Sequence, residues 1–171
     1  MRTRTVTVFG SSKPKEGDPL YRSAHEVGLA LGKVGFAICN GGYGGTMEAS
    51  ARGAKEAGGR VIGVTCKVFS REPNPYNDQI IEAKDVFSRL EKLVDLGDAY
   101  IVLPGGTGTL VELAMVWELR AKRLIDERPV ILYGDYWEQV IETTAIERPE
   151  SRKNIRIVHS IEQLLGDLNS D

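Results

Sequence analysis

Only two cysteines, Cys39 and Cys66, occur in the 171 residues, and neither stands at a metal-ligand spacing. Both lie inside apolar runs, which marks them as small core residues of a reducing compartment and excludes a disulfide-stapled secreted domain. Neither sign of charge dominates, since 22 Lys and Arg face 24 Asp and Glu for a formal net charge of -2. Without a basic excess there is no footprint for coating a nucleic-acid backbone, so no nucleic-acid polymer is expected as a partner. No apolar stretch reaches the ~18 residues that a spanning helix needs. The opening Met1-Arg2-Thr3-Arg4-Thr5 is too short and polar for a secretory leader. The expectation is a cytoplasmic protein with no membrane partner. The two histidines, His25 and His159, match no catalytic spacing and read as structural. No internal repeat, low-complexity segment or linker interrupts the chain.

What is present is alternation. Short continuous apolar runs at 5–9, 36–39, 60–65, 79–82, 99–103, 129–133 and 155–158 alternate with helical patterns. One pattern follows Asp18-Pro19, others run through 47–57, 86–96 and 137–141, and a long one runs from about Thr109 to about Asp126. Ser160-Ile161-Glu162-Gln163 has capping-box spacing for a closing helix. Strands that are apolar along their whole length belong to a parallel sheet covered on both faces. The chain therefore predicts an α/β, doubly wound parallel sheet, with residues 1–171 as a single domain. In such sheets ligands bind beyond the carboxyl ends of the strands. Three turns lie there: Gly10-Ser11-Ser12, the stretch from Asn40 through Gly41, Gly42, Gly45, Thr46 and Met47, and Pro104 to Thr109. All three are candidate ligand edges. The irregular stretch 67–78, with Pro73 and Pro75, reads as a surface feature or lid.

The third turn is the most informative. In Leu103-Pro104-Gly105-Gly106-Thr107-Gly108-Thr109-Leu110-Val111-Glu112 an apolar run stops at a proline, three glycines follow, and a helix begins. That arrangement aims several backbone N–H groups at one point, and the point should hold an anion. Gly105, Gly106, Thr107, Gly108 and Thr109 are the expected phosphate cradle. Glu112, one turn into the helix, falls where its carboxylate can lie beside a sugar attached to the phosphate. The competing reading is structural, because Thr109-Leu110-Val111-Glu112 also fits the capping box that ties off a helix start. Neither glycine loop is a Walker A sequence or a Gly-x-Gly-x-x-Gly fingerprint. Arg89 shares a helix face with Lys92 and on its own reads as a solvated surface cation. Glu48 either caps a helix dipole or touches ligand.

The stretch Pro104 to Glu112 resembles the Pro-Gly-Gly-x-Gly-Thr-x-x-Glu signature of the LOG (LONELY GUY) family, the "possible lysine decarboxylases" that include the cytokinin riboside 5'-monophosphate phosphoribohydrolases. The stretches 8–12, 41–47 and 58–64 resemble the family's first three strand-loop units, and Arg89 lies fifteen residues before Pro104, as the family's active-site arginine does. The likeness extends over roughly residues 5–135. It implies a Rossmann-like fold, a homodimer or higher homo-oligomer, and a hydrolase that splits a nucleoside 5'-monophosphate such as AMP into free base and ribose 5-phosphate. Carried over by position, Arg89 and Glu112 are catalytic and the 105–109 turn holds phosphate, with no metal and no cofactor. The decarboxylase label has no physical support, because pyridoxal-phosphate chemistry needs a Schiff-base lysine and a far larger cofactor apparatus. Two departures matter. Val86-Phe87-Ser88-Arg89-Leu90 stands where the hydrolases carry Met-His-Glu-Arg-Lys, and Asn40 and Glu48 replace glycines. The second glycine loop also resembles a branch likened to molybdenum-cofactor carriers, which implies a non-catalytic carrier or sensor as the alternative function.

Overall fold

A computed structural model describes residues 3–125 and 127–169. The order of elements is β1 (Thr5–Phe9), α1 (Pro19–Lys33), β2 (Ala37–Asn40), α2 (Thr46–Glu56), β3 (Val61–Cys66), β4 (Gln79–Ala83) and α3 (Val86–Leu96). There follow β5 (Ala99–Val102), α4 (Thr107–Ala121), β6 (Val130–Tyr133), α5 (Glu138–Ala145), a 3-10 segment (Pro149–Asn154), β7 (Ile155–Val158) and α6 (Ile161–Asn169). The seven strands form one parallel sheet in the order β4-β3-β2-β1-β5-β6-β7. This is the doubly wound α/β fold that the alternation predicts.

The winding reverses at β1, which pairs with β2 on one side and β5 on the other. Turns leaving neighbouring strands toward opposite faces open a crevice at that point. Both faces of the sheet are covered. Val27, Leu31, Ile38, Ala54 and Leu164 belong to the core under α1, α2 and α6. Phe9, Leu93, Tyr100, Leu113, Trp117 and Ile141 belong to the core under α3, α4 and α5. β1, β2, β3 and β5 are buried at every residue, which explains their predominantly apolar character. Cys39 and Cys66 are buried and unbridged, and burial pushes the Cys39 thiol up to about 12, so it stays protonated. His25 pairs with Glu56 and His159 with Asp135, both outside the crevice turns.

Two boundaries differ from expectation. α4 begins at Thr107, two residues early, because the Leu110 N–H already donates to the Gly106 carbonyl at 3.0 Å. Thr109 is thus the third helical residue and cannot cap, so the capping-box reading of Glu112 fails. At its other end α4 stops at Ala121; Asp126, where its end was expected, lies outside the described residues, as do Met1 and Arg2. The stop is a Schellman motif, with Leu124 N–H donating to the Leu119 carbonyl and Arg123 N–H to that of Arg120. Arg123 holds the left-handed position at φ 58°, where glycine is usual, and the sequence therefore lacks the familiar stop signal. Among the described residues no helix is long and apolar enough to cross a membrane.

Candidate active site

The three turns meet at Gly10. A Cβ on that residue would lie 2.3 Å from Thr46 Oγ1 and 3.2 Å from Leu103 Cβ, so only glycine lets the β1, β2 and β5 ends close together. Gly45, at φ 72°, meets the same turn, since its Cβ would sit 2.3 Å from the Ser11 carbonyl oxygen. That oxygen accepts from both Thr46 N–H (2.8 Å) and Thr46 Oγ1 (3.1 Å).

The 41–47 loop is organised from within by Asn40, which is fully buried, accepts from Gly42 N–H at 2.8 Å and donates to the Met47 carbonyl at 2.9 Å. Asn40 is the organiser of this loop and contributes nothing to a base pocket. Ser11 Oγ accepts from Lys13 N–H, and Ser12 Oγ from Arg71 at 3.4 Å. Glu48 accepts from the Tyr21 hydroxyl at 3.2 Å. Around 105–109 the backbone N–H groups of Gly105, Gly106, Thr107, Gly108 and Thr109 have no acceptor among the described residues. Gly106 and Gly108 face open space, while Gly105 is closed by Thr109, whose Oγ1 would sit 2.2 Å from a Cβ there. A row of unpaired N–H groups at a helix start has the geometry and partial charge to accept an anion.

Arg89 arrives from α3, whose first turn is fixed by Asp85 accepting from Ser88 N–H at 2.7 Å. Its guanidinium does not face solvent. Nε donates to the Val64 carbonyl at 2.8 Å, Nη2 to the Gly41 carbonyl at 3.2 Å, and Nη1 lies 3.7 Å from Glu112 Oε1. A Cβ on Gly41 would fall 2.0 Å from Nη2 and 2.6 Å from Met47 Sδ, so Gly41 is what admits the arginine. The rings of Tyr43 and Phe69 each stand 5.8 Å from the guanidinium carbon. Glu112 is only 15% exposed, and burial pushes its carboxyl up to about 7 against the opposing pull of Arg89. Two environments thus diverge within one cleft, a fixed cation and a carboxyl poised near neutrality.

Tyr43 and Phe69 are neighbours that sequence reading passed over. The aromatic between glycines in Gly42-Tyr43-Gly44 is a usable signal; Phe69, inside an irregular stretch, gives none. The far half of 67–78 is no free lid, because Asn74 donates to the Tyr43 carbonyl through its side chain and to the Gly42 carbonyl through its backbone, each at 2.8 Å.

The family profile described as "Possible lysine decarboxylase" matches residues 47–167. The chain belongs to this family, the LOG family. It is 28% identical to a cytokinin riboside 5'-monophosphate phosphoribohydrolase of Rhodococcoides fascians, over 98% of this chain and 90% of that protein. The protein of the same name from Mycobacterium marinum is 32% identical, over 78% of this chain and 71% of that one. Among solved structures, the molybdenum cofactor binding protein of Rippkaea orientalis superposes with a TM-score of 0.77 at 26% identity, covering 97% of this chain and 95% of the other. The proteins similar to this chain thus include ones named as phosphoribohydrolases and, among structural neighbours, one named as a cofactor binder.

Proposed function

We propose that this protein hydrolyses the N-glycosidic bond of a nucleoside 5'-monophosphate, releasing the free base and ribose 5-phosphate. The observation that carries the reading is the pairing of five acceptor-free N–H groups at the start of α4 with a buried carboxyl on the same helix. The phosphate sits at the positive end of the helix, and Glu112, about 7.5 Å further along the axis, reaches the ribose.

As the C1'–N bond breaks, its electron pair leaves with the base and positive charge builds on the ribose ring. An ionised Glu112 stabilises that charge and accepts a proton from the attacking water, whose oxygen bonds to C1'. The leaving base takes up the proton in exchange. Arg89, anchored by two carbonyls, positions Glu112 and favours its charged form. Because the ionised carboxyl is the active form, the rate rises with pH through about 7.

One observation favours a second reading, a carrier or sensor that binds a phosphorylated ligand intact. Leu90 is buried and Phe87 is an exposed apolar ring, so the two positions where the hydrolases carry lysine and histidine offer no polar group to a leaving base. Incubation with AMP and other nucleoside monophosphates separates the readings. Release of ribose 5-phosphate that vanishes in Glu112→Gln supports hydrolysis; thermal stabilisation with no release supports the carrier.

A further inference from the structure

The turn after β6 reaches the candidate phosphate loop from behind. Trp137 Nε1 donates to the Leu103 carbonyl at 3.0 Å, and the Tyr136 hydroxyl donates to the Gly105 carbonyl at 3.0 Å. The two rings meet edge to face with centroids 4.9 Å apart, so the buried Trp137 steadies a tyrosine that is 59% exposed. The consequence lies in the peptide that Tyr136 touches. No peptide bond among the described residues is cis, so the Gly105 carbonyl and the Gly106 N–H lie in one rigid plane and point in opposite directions. Holding the carbonyl outward therefore aims the Gly106 N–H inward. This control is needed at that bond because both flanking residues are glycines, and a Gly-Gly peptide can turn over without the steric penalty that a side chain imposes. Turned over, it would present a carbonyl oxygen to the phosphate in place of a donor.

Resting on the phosphate-cradle reading above, we infer that Tyr136 is a positioning residue that locks the Gly105–Gly106 peptide with its N–H toward the ligand phosphate. It touches no substrate. Its hydroxyl acts only through the orientation of the donor, so the effect falls on phosphate affinity and leaves base and sugar recognition alone.

The test is Tyr136→Phe, which keeps the ring against Trp137 and removes one oxygen at an exposed position. Titration calorimetry with ribose 5-phosphate and thermal melts without ligand are run on wild type and variant, together with AMP kinetics. The expected result is a roughly three- to tenfold weaker ribose 5-phosphate affinity and a matching rise in KM for AMP, with kcat and the unliganded melting temperature unchanged. Equal ribose 5-phosphate affinity in the two proteins overturns the positioning role and leaves the phosphate-binding reading standing. A variant that loses kcat with KM unchanged also overturns it. Wild-type protein that does not bind ribose 5-phosphate overturns both readings together.

Discussion

Arg89 Nη1 stands 3.7 Å from Glu112 Oε1, a distance longer than a hydrogen bond, because the same guanidinium is held by the carbonyls of Val64 and Gly41. The arginine is thus fixed to the ends of β2 and β3 and cannot swing to embrace the carboxylate. Attraction across that gap does not offset the loss of water around Glu112. Burial wins, and the carboxyl rises to about 7.

A carboxyl with a raised folded-state pKa costs stability when ionised. Between about pH 4.5 and 7 the folded protein keeps a proton that the unfolded chain releases, so stability falls as pH rises through that window and stays low above it. A neutral amide at this position carries no such cost. Glu112→Gln is expected to be more stable than wild type at pH 8, by on the order of 2–3 kcal/mol, with the difference fading toward pH 5. Urea melts at the two pH values measure it. A variant less stable than wild type at pH 8 would show that the arginine outweighs burial. Ribose 5-phosphate release should fall by roughly a hundredfold or more in the same variant.

Arg89→Lys retains charge and loses the fork. A lysine ammonium cannot satisfy the Val64 and Gly41 carbonyls together while standing beside Glu112. Denaturant melts should report a loss of roughly 1–3 kcal/mol. A lysine variant with wild-type stability and turnover would mean that charge alone matters.

The fold was legible because parallel strands buried on both faces are largely apolar, and each of the seven runs became a strand, the exposed edge strand β4 included, with ends shifted by at most one residue. Gly105 to Glu112 was legible for a similar reason: a strand end, a glycine turn and a helix start are local features. Arg89 was different. On its own helix it shares a face with Lys92, and its burial follows from Gly41 and Val64, 48 and 25 residues away in sequence. No local pattern encodes such a contact. Asn40 illustrates the same limit, since a polar residue at the end of an apolar run says nothing of the loop that folds back over it.

Gly45 combines a positive φ with a close approach to the Ser11 carbonyl oxygen. Gly45→Ala meets both penalties at once and should cost at least about 2 kcal/mol, pulling the β1 and β2 turns apart. A thermal melt within a degree of wild type would show that the turns can relax around a methyl group.

The Schellman position at the end of α4 offers the opposite sign. Arg123 reaches its φ of 58° only with a strained backbone. Arg123→Gly should stabilise the protein by on the order of 0.5–1 kcal/mol, after allowing for the greater freedom of glycine in the unfolded chain. A urea midpoint below wild type would mean that the arginine side chain contributes more than the strain removes.

The exposed apolar residues of α3 and α4 bear on assembly. Val111 is 53% and Met115 38% exposed, one helical turn apart on α4, and Phe87 on the first turn of α3 is 85% exposed. The Arg89–Glu112 contact brings the starts of these two helices together. Exposed apolar side chains on adjoining helices are a usual mark of an interface, and a second copy about a two-fold axis is the simplest partner to expect. Light scattering at about 10 µM should give twice the chain mass of 18.8 kDa, and Met115→Lys, which leaves the cradle untouched, should shift the protein toward monomer. Wild-type protein that scatters as a monomer at that concentration would overturn the homodimer.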